Sequence, residues 1–119
     1  MITGIGTDII EVSRIAESMK NERFLEKYFT DSENEYFKRK NLSPETVSAS
    51  FAAKEAVSKA FGTGFSGFSL KDIEILHNES GNPYVNLYNN AKRLADGGIL
   101  HISLSHTKDM AVAFVVLEK

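Results

Sequence analysis

The segment "FAAKEAVSKAFGTG", residues 51–64, places polar side chains in an otherwise apolar helix. At about 100° per residue, one side of this helix carries four polar residues: Lys54, Glu55, Ser58 and Lys59. One interpretation is a core helix with a solvated face and a Glu55–Lys59 ion pair at i,i+4 spacing. The other is a functional face, next to a glycine turn that lets a ligand approach the backbone.

The glycines Gly62 and Gly64 follow this helix, whereas glycine loops that cradle phosphate precede one. A helix C-terminus presents carbonyl groups with a partial negative charge, which repels phosphate. A nucleotide bound here therefore needs lysine side chains or a metal ion. Capping alone accounts for Gly62, which we expect to end the helix.

Asp8 lies near the end of an apolar N-terminal stretch that contains Gly4 and Gly6. An acid in this position is commonly a strand terminus or the cap of the next helix. The alternative is a metal ligand, because Mg²⁺ usually takes one or two protein carboxylates and completes its shell with water and phosphate oxygens. Asp8 and Glu55 are candidates for such a pair, although their spacing in the sequence does not establish that they meet.

The three histidines differ in their surroundings. We expect His77 to end a strand facing solvent, and His101 to be a satisfied residue within an apolar strand. His106 lies among small polar residues in the turn "SHTKD", and a loop histidine of this kind is a candidate for substrate contact. A catalytic triad of Ser105, His106 and Asp109 is disfavoured, because sequence neighbours rarely present the required geometry.

The elements that must position these residues follow from periodicity and turn signals. Gly4 and Gly6 indicate a bulge or a close backbone contact in the first strand. Ser43 and Pro44 predict the start of the longest helix, of about 18 residues. The predicted order is strand 2–10, helices at 11–19, 22–29, 30–40 and 44–61, a hairpin at 68–88, a short helix at 89–96 and a hairpin at 99–118. This order predicts an α+β fold, with helices packed on a mostly antiparallel sheet in a single domain, residues 1–119.

Composition limits the classes of function. The 119 residues are 42% hydrophobic and 25% charged, which is ordinary for a soluble globular protein. A net charge of −2 gives no support to a nucleic-acid or membrane-surface partner. The absence of cysteine excludes disulfides, cysteine-bound zinc and thiol nucleophiles. We find no secretion signal and no apolar run of the roughly 20 residues that cross a membrane, and we expect a cytoplasmic protein.

Three segments together resemble the 4′-phosphopantetheinyl transferase superfamily, in particular its short class that modifies acyl carrier proteins. They are "GIGTDIIEVSRI", "FAAKEAVSKAFGTG" and "LSHTKDMAVAFVVLE", which occur in the order of the family and span the whole chain. The resemblance implies a homotrimer with active sites between subunits. It also implies Mg²⁺ as cofactor, coenzyme A as substrate and acyl carrier protein as partner.

The resemblance assigns roles to individual residues. Asp8 and Glu55 match the family's magnesium carboxylates, and Lys59 matches the lysine that reaches the coenzyme A phosphates; these three are the expected catalytic residues. The expected contacts to coenzyme A also include Gly62, Thr63, Gly64, His106 and Thr107. The expected docking surface for the acidic carrier protein comprises Arg14, Arg23 and Lys27.

One position departs from the family pattern. Family members often carry arginine directly before "FAAKEA", where this chain has Ser50. The residues that could replace its contact to a coenzyme phosphate are Lys54, Arg39, Lys40 and Lys108.

The implied reaction transfers phosphopantetheine from coenzyme A to a serine hydroxyl of the apo carrier, in support of fatty acid biosynthesis, and releases adenosine 3′,5′-bisphosphate. The base for that hydroxyl is left open between a water on the metal and a carboxylate beside it.

Three other classes were weighed against this one. A trimeric binding protein without activity does not need acids at both positions 8 and 55. Transferases for peptide or polyketide carriers are typically about twice this length. A purely structural subunit does not account for three polar motifs.

Overall fold

The computed structural model describes residues 1–62 and 67–119. Within these ranges the chain forms five strands and five helices, in the order that the sequence predicts. The strands are β1 (Ile2–Glu11), β2 (Ile73–His77), β3 (Pro83–Leu87), β4 (Ile99–His106) and β5 (Met110–Glu118). The helices are α1 (Val12–Ser18), α2 (Arg23–Tyr28), α3 (Asp31–Arg39), α4 (Pro44–Phe61) and α5 (Asn89–Ala95), and a 3₁₀ turn at Leu70–Asp72 precedes β2.

The strands form two antiparallel sheets. The larger sheet has the order β1-β5-β4, and β2 and β3 form a separate two-stranded hairpin. Every strand pair is antiparallel. The predicted α+β fold with antiparallel strands is therefore confirmed, with the strands divided between two sheets.

Helix α4 is bounded by the signals that the sequence carries. The Ser43 hydroxyl caps its N-terminus by accepting from the Thr46 backbone N–H, and Pro44 occupies the first turn. Gly62 ends the helix in the left-handed region, at φ 78°. The helix has 18 residues, as predicted.

Strand β1 lies unusually close to α4. A Cβ atom on Gly4 would stand 1.9 Å from the carbonyl oxygen of Ala60, and one on Gly6 would stand 1.9 Å from that of Ala56. No side chain fits in that space, so glycine in the strand and alanine on the helix permit the contact. The predicted close backbone approach is confirmed, and the register shift between Ile2 and Gly4 is the predicted irregularity.

The two faces of the larger sheet differ. The inner face packs its alternate β5 residues, such as Ala113 and Val115, against α4 in the main core. The outer face carries exposed apolar side chains, among them Ile5 at 62%, Ile9 at 64% and Phe114 at 47%. An exposed apolar sheet face of this kind is typical of a protein–protein contact.

Two predictions about α4 and β2 are wrong. The interpretation as a solvated face does not hold for Lys54 and Ser58, which are both buried. Helix α3 and the chain entering β2 cover the Lys54 side chain, because their oxygen atoms accept from its ammonium group. His77 was expected to face solvent, but its ring stacks on Tyr36 at 4.1 Å and is half buried. Burial lowers the pKa of His77, and the nearby Lys40 ammonium lowers it further.

Candidate active site

Asp8, Glu55 and Lys59 meet where β1 crosses α4. Asp8 shares the inner face of β1 with Gly4 and Gly6, because side chains alternate along a strand. Glu55 and Lys59 are one helical turn apart on α4. The close packing of β1 on the helix therefore brings Asp8 to this turn of α4. The meeting of Asp8 with Glu55, which the sequence left open, occurs in the structure.

Lys59 pairs with the strand rather than along the helix. Its Nζ donates to Asp8 Oδ1 at 3.1 Å and to the Thr7 carbonyl oxygen at 3.0 Å. Among the described residues Lys59 forms no ion pair with Glu55, so the predicted i,i+4 pair is wrong. The Lys59 side chain is 55% exposed and that of Asp8 is 17% exposed. The ammonium group is thus held at the protein surface, where a phosphate can reach it.

The carboxyl group of Glu55 lies in surroundings that disfavour its ionisation. Burial raises the pKa of Glu55, and the neighbouring Asp8 carboxylate raises it further, while the Lys59 ammonium acts in the opposite direction. Two carboxylates that repel each other across a half-buried space attract a cation. The arrangement is therefore a candidate metal site.

The donor set fits a hard divalent ion with few protein ligands. Among the described residues no group of three or more histidine, cysteine, aspartate or glutamate side chains could hold a metal. Mg²⁺ needs only one or two carboxylates when water and substrate phosphates fill the remaining positions. Asp8 and Glu55 supply such a pair, and Lys59 shows that a positive charge is already accommodated beside Asp8.

A cleft of about 410 Å³ opens beside Glu55. Its lining is mostly aromatic and aliphatic, with one cation and one anion: Lys27, Tyr28, Phe51, Glu55, Phe68, Ser69 and Leu70. The cleft therefore connects Glu55 to helix α2. A second cleft, of about 290 Å³, lies between Lys59 and the outer face of the sheet at Phe114.

His106 and Thr107 lie apart from the carboxylate pair within one chain. His106 ends β4 and pairs with Ala111 of β5, which in turn pairs with Ile10 of β1. Strand β5 thus separates His106 from the strand of Asp8. Thr107 shapes the hairpin turn, where its hydroxyl accepts from the backbone N–H groups of Asp109 and Met110.

The surroundings of Ser50 show which cations could replace the phosphate contact of the arginine that family members often carry at this position. Ser50 and His106 line a cleft of about 180 Å³ together with Tyr36 and His77. Lys54 is excluded, because its ammonium is buried in an ion pair with Glu33 at 2.7 Å. Arg39 and Lys40 remain: both lie about 5.8 Å from the Tyr36 ring centre and line an adjoining cleft with Tyr36 and His77. Lys108 is exposed in the β4–β5 turn and is not among the lining residues of either cleft.

The predicted docking residues lie on α1 and α2. Arg14, Arg23 and Lys27 are all exposed. Arg23 and Lys27 border a surface depression of about 240 Å³ whose floor includes Phe24 and Tyr28. These aromatic rings were missed, although the i,i+4 spacing of Phe24 and Tyr28 on an exposed helix is a readable signal.

The rings extend toward Glu55 in a stacked group. The Phe24 ring centre lies 6.0 Å from that of Phe51, and Tyr28 meets Phe51 edge to face at 6.1 Å. An apolar surface flanked by cations therefore leads from α2 to the carboxylate pair.

The glycine turn is described only in part. Gly62 has a φ of 78°, and a Cβ placed on it would meet no atom of the described residues within 4 Å. Thr63 and Gly64, the other predicted residues of this turn, lie outside the described residues.

Comparisons with known proteins agree with one another. A family model described as the 4′-phosphopantetheinyl transferase superfamily matches residues 4–115. A holo-[acyl-carrier-protein] synthase of Clostridium beijerinckii is 50% identical over 121 residues, which covers 99% of this chain and 98% of the relative. One from Clostridium perfringens strain 13 is 48% identical over 126 residues, with 99% and 95% covered.

Two solved structures are similar to this chain over all or nearly all of their length. The crystal structure of holo-[acyl-carrier-protein] synthase from Neisseria meningitidis matches with a TM-score of 0.91 at 34% identity and covers 100% of both chains. That of a synthase from Bacillus anthracis, in complex with CoA (3′,5′-ADP), matches with a TM-score of 0.86 at 40% identity, covering 100% of this chain and 98% of the other.

Proposed function

The chain belongs to the 4′-phosphopantetheinyl transferase superfamily, and we propose that Asp8, Glu55 and Lys59 form the centre of its active site. It transfers 4′-phosphopantetheine from coenzyme A to apo acyl carrier protein. The convergence of two carboxylates and one ammonium group at the β1–α4 crossing carries the assignment of the centre. The family match, over residues 4–115, supports treating residues 1–119 as one domain.

Asp8 and Glu55 would hold Mg²⁺. Bound there, the ion would neutralise charge on the pyrophosphate of coenzyme A during the transfer. Lys59 would bind a phosphate oxygen. Its half-exposed ammonium, held by Asp8 and the Thr7 carbonyl, supports this role. Phosphoryl transfer depends mainly on positioning and on stabilising negative charge, and this cluster can do both.

The reaction exchanges the phosphoanhydride bond of coenzyme A for a phosphodiester bond to the carrier. The carrier's serine oxygen forms a bond to the β-phosphorus, and the bond from that phosphorus to the bridging oxygen of the pyrophosphate breaks. Adenosine 3′,5′-bisphosphate leaves with that oxygen. The proton of the serine hydroxyl passes to a neighbouring base as the new ester forms.

We further propose a homotrimer with active sites between subunits, working in the cytoplasm. The exposed apolar face of the larger sheet supports an assembly, because Ile5, Ile9 and Phe114 together form a surface of the kind that subunits cover. A neighbouring subunit could then supply His106 and Thr107, which β5 separates from Asp8 within one chain. Gly62, with Thr63 and Gly64, would line the coenzyme groove.

The proposed carrier-docking surface consists of Arg14, Arg23 and Lys27. All three are exposed cations on α1 and α2. The aromatic depression between Arg23 and Lys27 gives an acidic partner an apolar contact as well.

Intact mass spectrometry tests the activity directly. Purified apo acyl carrier protein is incubated with this protein, coenzyme A and Mg²⁺, and we expect the carrier to gain the mass of one phosphopantetheine. A carrier whose acceptor serine is replaced by alanine is the matched control. An unmodified carrier, in a mixture where a known synthase modifies it, would overturn the proposal.

A further inference from the structure

Lys54 is a buried lysine whose ammonium group is fully bonded. Its Nζ donates to Glu33 Oε1 at 2.7 Å and to the backbone carbonyl oxygens of Leu70 at 2.9 Å and Ile73 at 2.6 Å. The ring centre of Phe29 lies 5.0 Å from the same nitrogen. An ammonium group has three protons, so this set of acceptors uses all of them.

Glu33 completes the network from helix α3. Its Oε1 also accepts from the backbone N–H of Thr30 at 2.9 Å, and its Oε2 accepts from that of Ile75 at 3.0 Å. Both charged side chains have no exposed area. A buried ion pair is seldom more stabilising than an apolar pair of the same size. Stability alone therefore gives little reason for these charges.

The bonds of Lys54 end on the chain that forms one wall of the Glu55 cleft. Leu70 lines this cleft with Phe68 and Ser69, and its carbonyl is one of the acceptors. Lys54 directly precedes Glu55 on α4. The turn of helix that presents Glu55 to the cleft is thus bonded to the chain that lines it.

We propose that Lys54 is a positioning residue for the transfer reaction, which fixes the Phe68–Leu70 wall relative to Glu55. The proposal rests on the proposed function of Glu55. Lys54 acts through backbone carbonyl groups and touches no substrate. The three bonds tie α4, α3 and the start of β2 at one point, so the width of the cleft is set where the reacting groups meet.

The test replaces Lys54 with methionine, which is of similar length but has no donor. A small displacement of a reaction site lowers turnover steeply, and we expect kcat to fall roughly 10- to 100-fold. The KM for coenzyme A should stay within about threefold, because Lys59 and the glycine turn remain. Amide hydrogen exchange should accelerate at residues 67–75 and stay unchanged in β4 and β5.

Val57→Ala is the matched control, since it removes buried volume from the same helix without touching the network. If both variants lose melting temperature but keep kcat, Lys54 is only a stabilising residue and the proposal is overturned. If Lys54→Met does not fold, Glu33→Gln weakens the same anchor, and unchanged exchange at residues 67–75 in that variant overturns it.

Failure of the proposed function is a separate outcome. It would show as a wild-type protein that transfers nothing. The exchange measurement needs no activity, so it still decides whether Lys54 holds the wall.

Discussion

The surroundings of the Glu55 carboxyl group oppose its ionisation. The free-energy cost of the charged form favours binding of a cation, which would neutralise that charge. Burial and the Asp8 charge raise the pKa of Glu55 above the ordinary value of 4.5. A group whose pKa is raised by folding stabilises the fold at low pH, and this contribution is lost as pH rises through the raised pKa. Ionisation of Glu55 in the metal-free protein therefore costs some stability.

The first prediction concerns this cost. In metal-free buffer at neutral pH, Glu55→Gln should raise the melting temperature by up to about 2 °C, a small effect because solvent screens a half-buried pair. The gain should vanish at acidic pH, below the ordinary glutamate pKa, where the carboxyl group is protonated in the folded and the unfolded chain. Thermal melts at both pH values, with a chelator present, measure the difference. A lower melting temperature for the variant at neutral pH would show that Glu55 stabilises the fold.

The second prediction concerns turnover. Asp8→Asn and Glu55→Gln keep the size of the side chain and remove one negative charge. Each should lower kcat on the order of 10²-fold or more, because charge on the pyrophosphate is less well neutralised in the transition state. Turnover is measured against Mg²⁺ concentration for both variants and wild type. Near-normal turnover of a folded variant at limiting Mg²⁺ would remove that residue from the site.

At the scale of elements, the packing of β1 against α4 brings Asp8 close to Glu55. In the third prediction, Gly6→Ala places a Cβ atom 1.9 Å from the Ala56 carbonyl oxygen, and the strand must move away from the helix. We expect a loss of about 3 kcal/mol in the free energy of unfolding, and a loss of activity beyond it. Chemical denaturation and turnover at low temperature measure both.

Gly62→Ala is the comparison for that variant. Its Cβ would meet no atom of the described residues within 4 Å, so we expect a cost of about 1 kcal/mol, that of a left-handed alanine. Equal losses for the two variants would contradict the close packing of β1 on α4.

The sequence predicted the elements well, because their signals are local. Ser43, Pro44 and Gly62 bound α4 through backbone capping, which depends on neighbours in the chain. The burial of Lys54 was not predictable in this way. Its partners, Glu33 and the Leu70 and Ile73 carbonyls, are 16 to 21 residues distant, and periodicity cannot show which element covers a polar helix face.

Some features of the candidate site are likewise readable from the sequence, and others depend on contacts between distant segments. The resemblance of three motifs identified Asp8, Glu55 and Lys59, and the glycines of β1 gave a physical reason for Asp8 to approach the helix. The pairing of Lys59 with Asp8 depends on how a strand and a helix cross. The prediction that His77 faces solvent is wrong because Tyr36, on helix α3, stacks on its ring.

At the scale of the molecule, net charge and local charge differ. The chain carries a net charge of −2 overall, yet Arg14, Arg23 and Lys27 are exposed on neighbouring helices.

In the fourth prediction, Arg14→Glu raises the KM for the carrier about tenfold and leaves the KM for coenzyme A nearly unchanged. High salt should reduce the difference between variant and wild type, because exposed charges are screened. Steady-state kinetics with each substrate varied, at two salt concentrations, measure this. Equal damage to both KM values would argue against a docking role.

The last prediction asks whether one site is shared by two subunits. Within one chain, β5 separates His106 from the strand that carries Asp8, and the outer sheet face at Ile9 and Phe114 is apolar and exposed. If a closed trimer forms each site from Asp8 of one subunit and His106 of the next, Asp8→Asn and His106→Ala damage different halves of it. Two weakly active variants, mixed in equal amounts and allowed to exchange subunits, then rebuild intact sites. Random assembly makes about one site in four intact, so the mixture should recover roughly a quarter of wild-type turnover.

Asp8→Asn mixed with Glu55→Gln is the control, because both residues lie on the same subunit's half and no site becomes whole. Light scattering confirms the trimer before and after exchange. Recovery in neither mixture, with exchange verified by mass, would place the whole site within one chain.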